Sequence, residues 1–222
     1  MKKIAIFSHH PVCSDQSVFG IVQALSYSHL LERFTLSDDL NSVLNRSDCV
    51  VFPGGFGDAD LYYTFFKRRH GNAVADFVKN GGKYVGICMG QYWAGSNYFD
   101  ILDGIEVVQY ITRPEAEKKR PFGTVAEITY DGHIHTDNMF FYDGGAAVID
   151  ESAKNYKIKA RYKNGDPMAL IQGNVGIIGC HPESEKYWYG MYPYIKEYWH
   201  EGQHHKWLLE FVNELWSVSS TE

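Results

Sequence analysis

The segment Gly86-Ile87-Cys88-Met89-Gly90 sets a thiol between two glycines, directly after a short apolar run with the pattern of a strand. This is the thiol form of the G-x-S-x-G arrangement, in which a nucleophile projects from a sharp strand-to-helix turn. Side chains at the flanking glycines would collide with the turn or its neighbours. A thiol that attacks a carbonyl needs a base, a group to orient that base, and donors for the developing oxyanion. The sequence has a candidate for each. The apolar run 175–180 ends in His181-Pro182-Glu183, an imidazole at a strand end with a carboxylate two residues on to hold its other ring nitrogen. Pro53-Gly54-Gly55 closes another apolar run, so amides at Gly54 and Gly55 join that of Met89 as oxyanion donors. The helix after Cys88 would direct its positive end at the sulfur and favour thiolate. The plainer alternative makes Gly86 and Gly90 packing glycines and Cys88 a small buried residue, which cysteines commonly are.

These residues come together only if the elements before them are parallel strands of one sheet. Residues 3–8, 31–36, 48–53 and 83–87 read as strands, mostly as continuous apolar runs, which suits strands buried on both faces. Val18, Ile21, Val22 and Leu25 recur at helical spacing. Asn72 is placed to cap a helix burying Val74, Phe77 and Val78, which stops at Asn80-Gly81-Gly82. A further helix is expected from Met89 to about Tyr98. Strands alternating with helices imply right-handed crossovers and a sheet covered on both faces.

The middle of the chain changes character. Residues 105–110, 124–130, 133–136, 139–142, 145–149, 157–162, 167–172 and 174–180 are short strand-like pieces. Turn signals such as Asp131-Gly132 and Asn164-Gly165-Asp166 separate several of them. They are expected as antiparallel hairpins attached to the parallel sheet. Residues 113–121 read as an exposed, charged loop. The aromatic block 187–199 reads as core packing rather than an oligomer interface. Leu208, Phe211, Val212 and Leu215 share one face of a final helix. The expected fold is therefore α/β: a three-layer αβα, flavodoxin-like arrangement with a central, mostly parallel sheet and added antiparallel strands. No linker or repeat divides it, so residues 1–222 are read as one domain.

Composition narrows the function. The 222 residues are 45% hydrophobic and 22% charged, as in ordinary globular proteins. The net charge of −6 and the absence of a basic face argue against nucleic acid. No stretch approaches a membrane span, and the N-terminal apolar run is too short for a signal peptide. The expectation is a cytoplasmic protein whose Cys13, Cys49, Cys88 and Cys180 are free thiols. His200-Glu201-Gly202-Gln203-His204 matches H-E-x-x-H. Gly202 weakens a helix there and no third ligand follows, so this run is read as a polar, solvent-facing turn opening the last helix, with no metal site.

Taken together, the Cys88 motif, His181-Pro182-Glu183 and Pro53-Gly54-Gly55 resemble the class I glutamine amidotransferase superfamily, in order and spacing along nearly the whole chain. A closer match also exists. Phe52-Pro53-Gly54-Gly55 followed by Asp58 or Asp60 and Tyr62, then Gly81-Gly82-Lys83, then Gly86-Ile87-Cys88-x-Gly90-x-Tyr92, then Phe141-Tyr142-Asp143-Gly144-Gly145, resembles the amidotransferase-like N-terminal domain of fungal-type biotin protein ligases and its free-standing bacterial relatives. The resemblance implies Cys88 as nucleophile, His181 as base, Glu183 as its orienting partner, and Gly54, Gly55 and Met89 as the oxyanion hole. Asp58, Asp60, Gly90 and Tyr92 would belong to the substrate pocket. Glutamine-using members usually carry Gln where this chain has Tyr92. The chain also lacks a Gly/Arg-rich adenylate loop, so biotin ligation is not expected of it. The expected function is thiol amidase or acyl transfer on a small amide or related acyl substrate through a thioester, without cofactor. The alternative is a non-catalytic, biotin-ligase-associated binding or regulatory module. For partners, a homo-oligomer and a protein of biotin metabolism both stay open.

Overall fold

A computed structural model describes residues 1–217 of the chain. Five strands form the parallel half of the main sheet: β1 (Lys3–Phe7), β2 (Leu30–Phe34), β3 (Cys49–Phe52), β4 (Lys83–Ile87) and β11 (Val175–Ile178). Their spatial order is β2-β1-β3-β4-β11, with every neighbouring pair parallel. The sheet continues antiparallel through β10 (Pro167–Gln172), β9 (Tyr156–Tyr162), β6 (Thr124–Tyr130) and β7 (Thr136–Phe141). A separate antiparallel pair joins β5 (Ile105–Gln109) to β8 (Gly145–Ile149). The fold is α/β, three-layer and flavodoxin-like, with the expected antiparallel extension.

β1, β3, β4 and β11 are buried almost throughout, which explains why they read as unbroken apolar runs. Seven α-helices are described. They are α1 (Asp15–Leu25), α2 (Leu40–Asn45), α3 (Ala59–His70), α4 (Ala73–Lys79), α5 (Met89–Trp93), α6 (Lys186–Gly190) and α7 (Gln203–Glu214). α1 packs on α7, and α2 on α4. α7 buries Leu208, Phe211 and Val212 as its spacing predicts. At the centre of the parallel half Phe7, Phe52, Phe66, Trp93 and Phe99 form a continuous aromatic cluster under α3 and α5.

Several sequence expectations change. α2 and α3 go unread in the sequence, although Asp39 and Asp58 each accept a hydrogen bond from a first-turn amide as their N-caps. Asn72 precedes α4 but makes no side-chain cap; its amide oxygen accepts from Lys67 instead. α5 stops at Trp93 rather than near Tyr98, and a turn follows. Residues 133–136 and 139–142 are not two strands but one, β7, which starts at Thr136.

The H-E-x-x-H run opens α7 through a turn at Glu201-Gly202 with Glu201 and Gln203 exposed, as expected, but its two histidines do not face solvent. Gly202 adopts a left-handed conformation as the N-cap of α7, so His200 lies outside the helix and the two histidines do not share a helical face. Both rings are buried, with centroids 3.7 Å apart. His204 Nε2 lies 2.8 Å from Asp137 Oδ2 on β7. No metal-binding group of His, Cys, Asp and Glu occurs among the described residues. No helix described is long and apolar enough to cross a membrane.

The His204 contact holds the Asp137 carboxyl down at about 2, against the opposing effect of its partial burial. A folded-state value below the unfolded one, about 3.9, stabilises the fold above pH ~4, and that contribution is lost as the pH falls through about 2. Asp137→Asn should therefore lower the thermal midpoint at pH 7, with the gap to wild type narrowing between about pH 4 and 2. Calorimetry across that range checks it; a gap independent of pH would exclude an ionic contribution.

Candidate active site

Parallel pairing decides which residues meet. β3, β4 and β11 are adjacent, so the segments after their carboxyl ends emerge at one edge of the sheet. Those segments are Pro53-Gly54-Gly55, Cys88 and Gly179 to Glu183. Two backbone hydrogen bonds tie them together. The Cys88 N–H donates to Ile178 O at 2.9 Å, and the Gly90 N–H to Pro53 O at 3.3 Å.

Cys88 sits on the turn at φ 51°, ψ −101°, a conformation that side chains rarely adopt. The turn closes because its glycines lack side chains. A Cβ on Gly86 would lie 2.2 Å from Gly90 O, and one on Gly90 would lie 2.1 Å from Phe52 O. Cys88 is 8% exposed, and its thiol points toward the Tyr142 carbonyl at 3.5 Å. α5 is only five residues long, so its dipole supplies less charge at the sulfur than a full helix would.

His181 lines the same cavity as Cys88. Its backbone N–H donates to Phe140 O at 2.8 Å, and its ring packs against Phe140 and Trp188. Nδ1 is 2.9 Å from Glu183 Oε1, which leaves Nε2 for other contacts. Burial by itself would push the imidazole down. The negative charges of Glu183 and Cys88, together with hydrogen bonds from both, outweigh it and raise the His181 pKa to about 10. The thiol and the ring line one cavity, with the ring's Nδ1 turned to Glu183.

Glu183 is wholly buried. Its Oε1 accepts from the Ser17 hydroxyl at 2.5 Å as well as facing His181, while Oε2 has no partner among the described residues. Ser17 was not singled out by sequence reasoning. It lies on α1, remote in sequence from every motif, and only its place on the buried face of that helix hints at a role. The same hydroxyl accepts the Gly54 N–H at 3.0 Å. α1 can approach this closely because of Gly20, where a Cβ would meet Glu183 O at 1.9 Å.

The Ser17 bond changes the expected set of oxyanion donors. The Gly54 amide is spent on Ser17 and is unavailable to a ligand. The amides of Gly55 and Met89 make no hydrogen bond among the described residues, and Gly55 borders the cavity. The expected pocket residues also separate from the site. Asp58 accepts the Leu61 amide at 2.9 Å as a helix cap, and Asp60 accepts the Tyr98 hydroxyl. Gly90 is packed on Phe52, and the Tyr92 hydroxyl donates to Asp143 O at 3.2 Å. None of these four lines the cavity.

The cavity holds about 290 Å³. Its lining includes Trp188, Met191 and Tyr192, residues of the aromatic block. That block divides: Trp188, Tyr189 and Ile195 are core, packed with Val125 and Phe140, while Tyr187, Met191 and Tyr194 remain exposed.

The fold is that of the class I glutamine amidotransferases. The chain superposes on PurLQS from Thermotoga maritima with a TM-score of 0.64 at 15% identity, covering 97% of this chain and 100% of that one. A glutamine amidotransferase from the same organism gives 0.62 at 12% identity over 97% and 96%. Sequence similarity points to one branch. Residues 34–109 match the family described as Biotin-protein ligase, N terminal. A biotin-protein ligase of Schizosaccharomyces pombe is 31% identical over 163 residues, which is 60% of this chain and 25% of that protein. The chain thus spans about a quarter of the curated relative it matches, and the resemblance read from the Cys88 and Pro53-Gly54-Gly55 segments falls inside the matched range.

Ser17→Ala leaves the buried Glu183 with one donor fewer and orphans the Gly54 N–H. Leaving buried polar groups unpaired costs on the order of 2 kcal/mol. The urea midpoint should fall accordingly, and the pH profile of Cys88 alkylation should move because the carboxylate beside His181 has changed. A variant with wild-type midpoint and wild-type profile would show that the Ser17 hydroxyl positions nothing.

Proposed function

We propose that this chain is a thiol acyl-transfer enzyme of the amidase type, with Cys88 as nucleophile, His181 as acid and base, and Glu183 orienting the imidazole. The observation that carries this reading is that Cys88, on a strained strand-to-helix turn, and His181, whose Nδ1 lies 2.9 Å from the buried Glu183, line the same cavity. The Glu183 carboxylate favours the protonated imidazole against the effect of burial, and an imidazolium beside a thiol is an arrangement that favours nucleophilic sulfur. The glutamine amidotransferase fold and the biotin-protein ligase similarity are compatible with it.

The steps follow from charge. The Cys88 sulfur attacks the carbonyl carbon of a bound amide or ester, and the oxygen becomes negative. The free Gly55 and Met89 amides are the donors for that oxygen. As the C–N or C–O bond breaks, His181 gives its proton to the leaving group, and a thioester remains on Cys88. The thioester sulfur carries no charge, so one of the causes that raised His181 is gone. The imidazole is then a base able to take a proton from water or an amine, which releases the acyl group and restores the thiolate. Whether the acceptor is water or an amine sets the product as acid or new amide.

The test compares the four thiols. Cys13, Cys49 and Cys180 are buried, and burial raises all three, Cys13 to about 12. A thiol near 12 has roughly a thousandth of the thiolate of an ordinary one at neutral pH. Iodoacetamide at pH 7 should therefore modify Cys88 at least ~100-fold faster than the other three in the folded protein, and His181→Gln should slow that reaction. Peptide mapping by mass spectrometry reads both. Equal rates at all four sites would sink the enzyme and favour a non-catalytic binding module. So would identical turnover of a broad acyl panel by wild type and Cys88→Ala.

A further inference from the structure

The cavity over Cys88 is lined by no Lys, Arg, Asp or Glu among the described residues. Phe140 and Trp188 form its inner wall. At its mouth stand three side chains that are apolar or aromatic and yet about half exposed: Phe56 at 56%, Met191 at 50% and Tyr142 at 48%. Apolar groups gathered around an opening lose water only when something apolar enters. The Glu183 carboxylate is wholly buried behind His181 and already engaged with the ring and Ser17.

These features bear on what can be bound. A free amino acid carries an ammonium and a carboxylate, and each needs a partner once it leaves water. Burying either without a counter-charge or a full set of hydrogen bonds costs several kcal/mol. Apart from His181, whose charge is already matched by Glu183, the lining side chains carry no charge, and Ser14 and Gln16 offer only neutral hydrogen bonds. An alkyl or aryl group meets the opposite condition, because every carbon it buries is favourable, at about 25 cal/mol per Å². The volume, about 290 Å³, lies at the small end of ligand pockets, near ~300 Å³.

We infer that the acyl group accepted by Cys88 is small, uncharged and largely apolar, carried as an alkyl or aryl carboxamide or ester, and that free α-amino acids, glutamine included, are excluded by the wall of the cavity. This rests on Cys88 being the nucleophile.

Two chloromethyl ketones test it. One carries a phenylalkyl group, and the other carries an α-amino acid head of the length of glutamine. In each, the Cys88 sulfur forms a bond to the methylene carbon as the C–Cl bond breaks and chloride leaves. Second-order labelling rates, normalised to those with a free thiol and mapped by mass spectrometry, should favour the phenylalkyl probe at Cys88 by at least ~10-fold. Equal rates, or a faster amino acid probe, would overturn the substrate class and leave the nucleophile standing. If neither probe labels Cys88 above the free-thiol rate, the enzymatic reading falls with it. Met191→Asp places a charge at the half-exposed rim, where the fold should tolerate it, as an unchanged thermal midpoint would verify. It should slow the phenylalkyl probe by about tenfold. An unaltered rate in the folded variant would show that the rim does not select the acyl group.

Discussion

The hydrogen bond from the Cys88 amide to Ile178 O is the constraint on which the site depends. It fixes the strained turn of one strand to the last residue of its parallel neighbour, three residues before His181. A residue held at positive φ costs roughly 1–3 kcal/mol and persists only where its surroundings over-determine it. Here they do. The turn is bonded to β11 on one side and, through Gly90, to Pro53 on the other, and its glycines let backbone meet backbone. Any register other than Ile87 beside Ile178 would part the thiol from the imidazole.

Glu183 presents the second constraint, since a fully buried carboxylate must be compensated where it stands. Three elements converge on it. His181 and the Ser17 hydroxyl share Oε1. α1 presses its Gly20 against the Glu183 carbonyl, and His205 of α7 lies 3.2 Å from that same carbonyl. The orienting residue is thus held by its backbone as well as its side chain. α1 and α7, which pack on one another, act as the support of the site without reaching the cavity through Ser17, Gly20 or His205.

What was legible in the sequence follows from this. Parallel strands buried on both faces write themselves as apolar runs, so β1, β3, β4 and β11 and the residues at their ends could be read, and with them Cys88, His181 and Glu183. α3 could not, because its apolar residues do not form a clear stripe: only Tyr63 and Phe66 are buried, beside exposed Leu61 and Phe65. Its cap, Asp58, was consequently assigned to the pocket. Ser17 was invisible for a different reason. A serine in a helix carries no pattern, and its two partners lie on segments brought close only by the finished sheet. The loss of Gly54 as an oxyanion donor is the same failure seen from the other end of that bond. H-E-x-x-H opens the last helix, as Gly202 led the sequence reading to expect, but the burial of its two histidines could not be read, because their partners are a distant strand and each other.

The candidate triad and most of the cavity wall come from different parts of the chain. The thiol, the imidazole, the carboxylate and the free amides all follow strands of the parallel half, whose order is shared with glutamine amidotransferases. The walls come from elsewhere: Phe140 from β7, Tyr142 from the turn after it, and Trp188, Met191 and Tyr192 from the aromatic block. None of these walls belongs to a strand-end motif. Tyr92 stands where glutamine-using relatives usually carry Gln, yet it is bonded to Asp143 and outside the cavity, so it cannot by itself reject a substrate. The discrimination has to be made by side chains that touch the ligand. In this chain most side chains lining the cavity beyond Cys88 and His181 are contributed by its antiparallel extension and its aromatic segment, joined by Ser14, Gln16 and Phe56 from the parallel half.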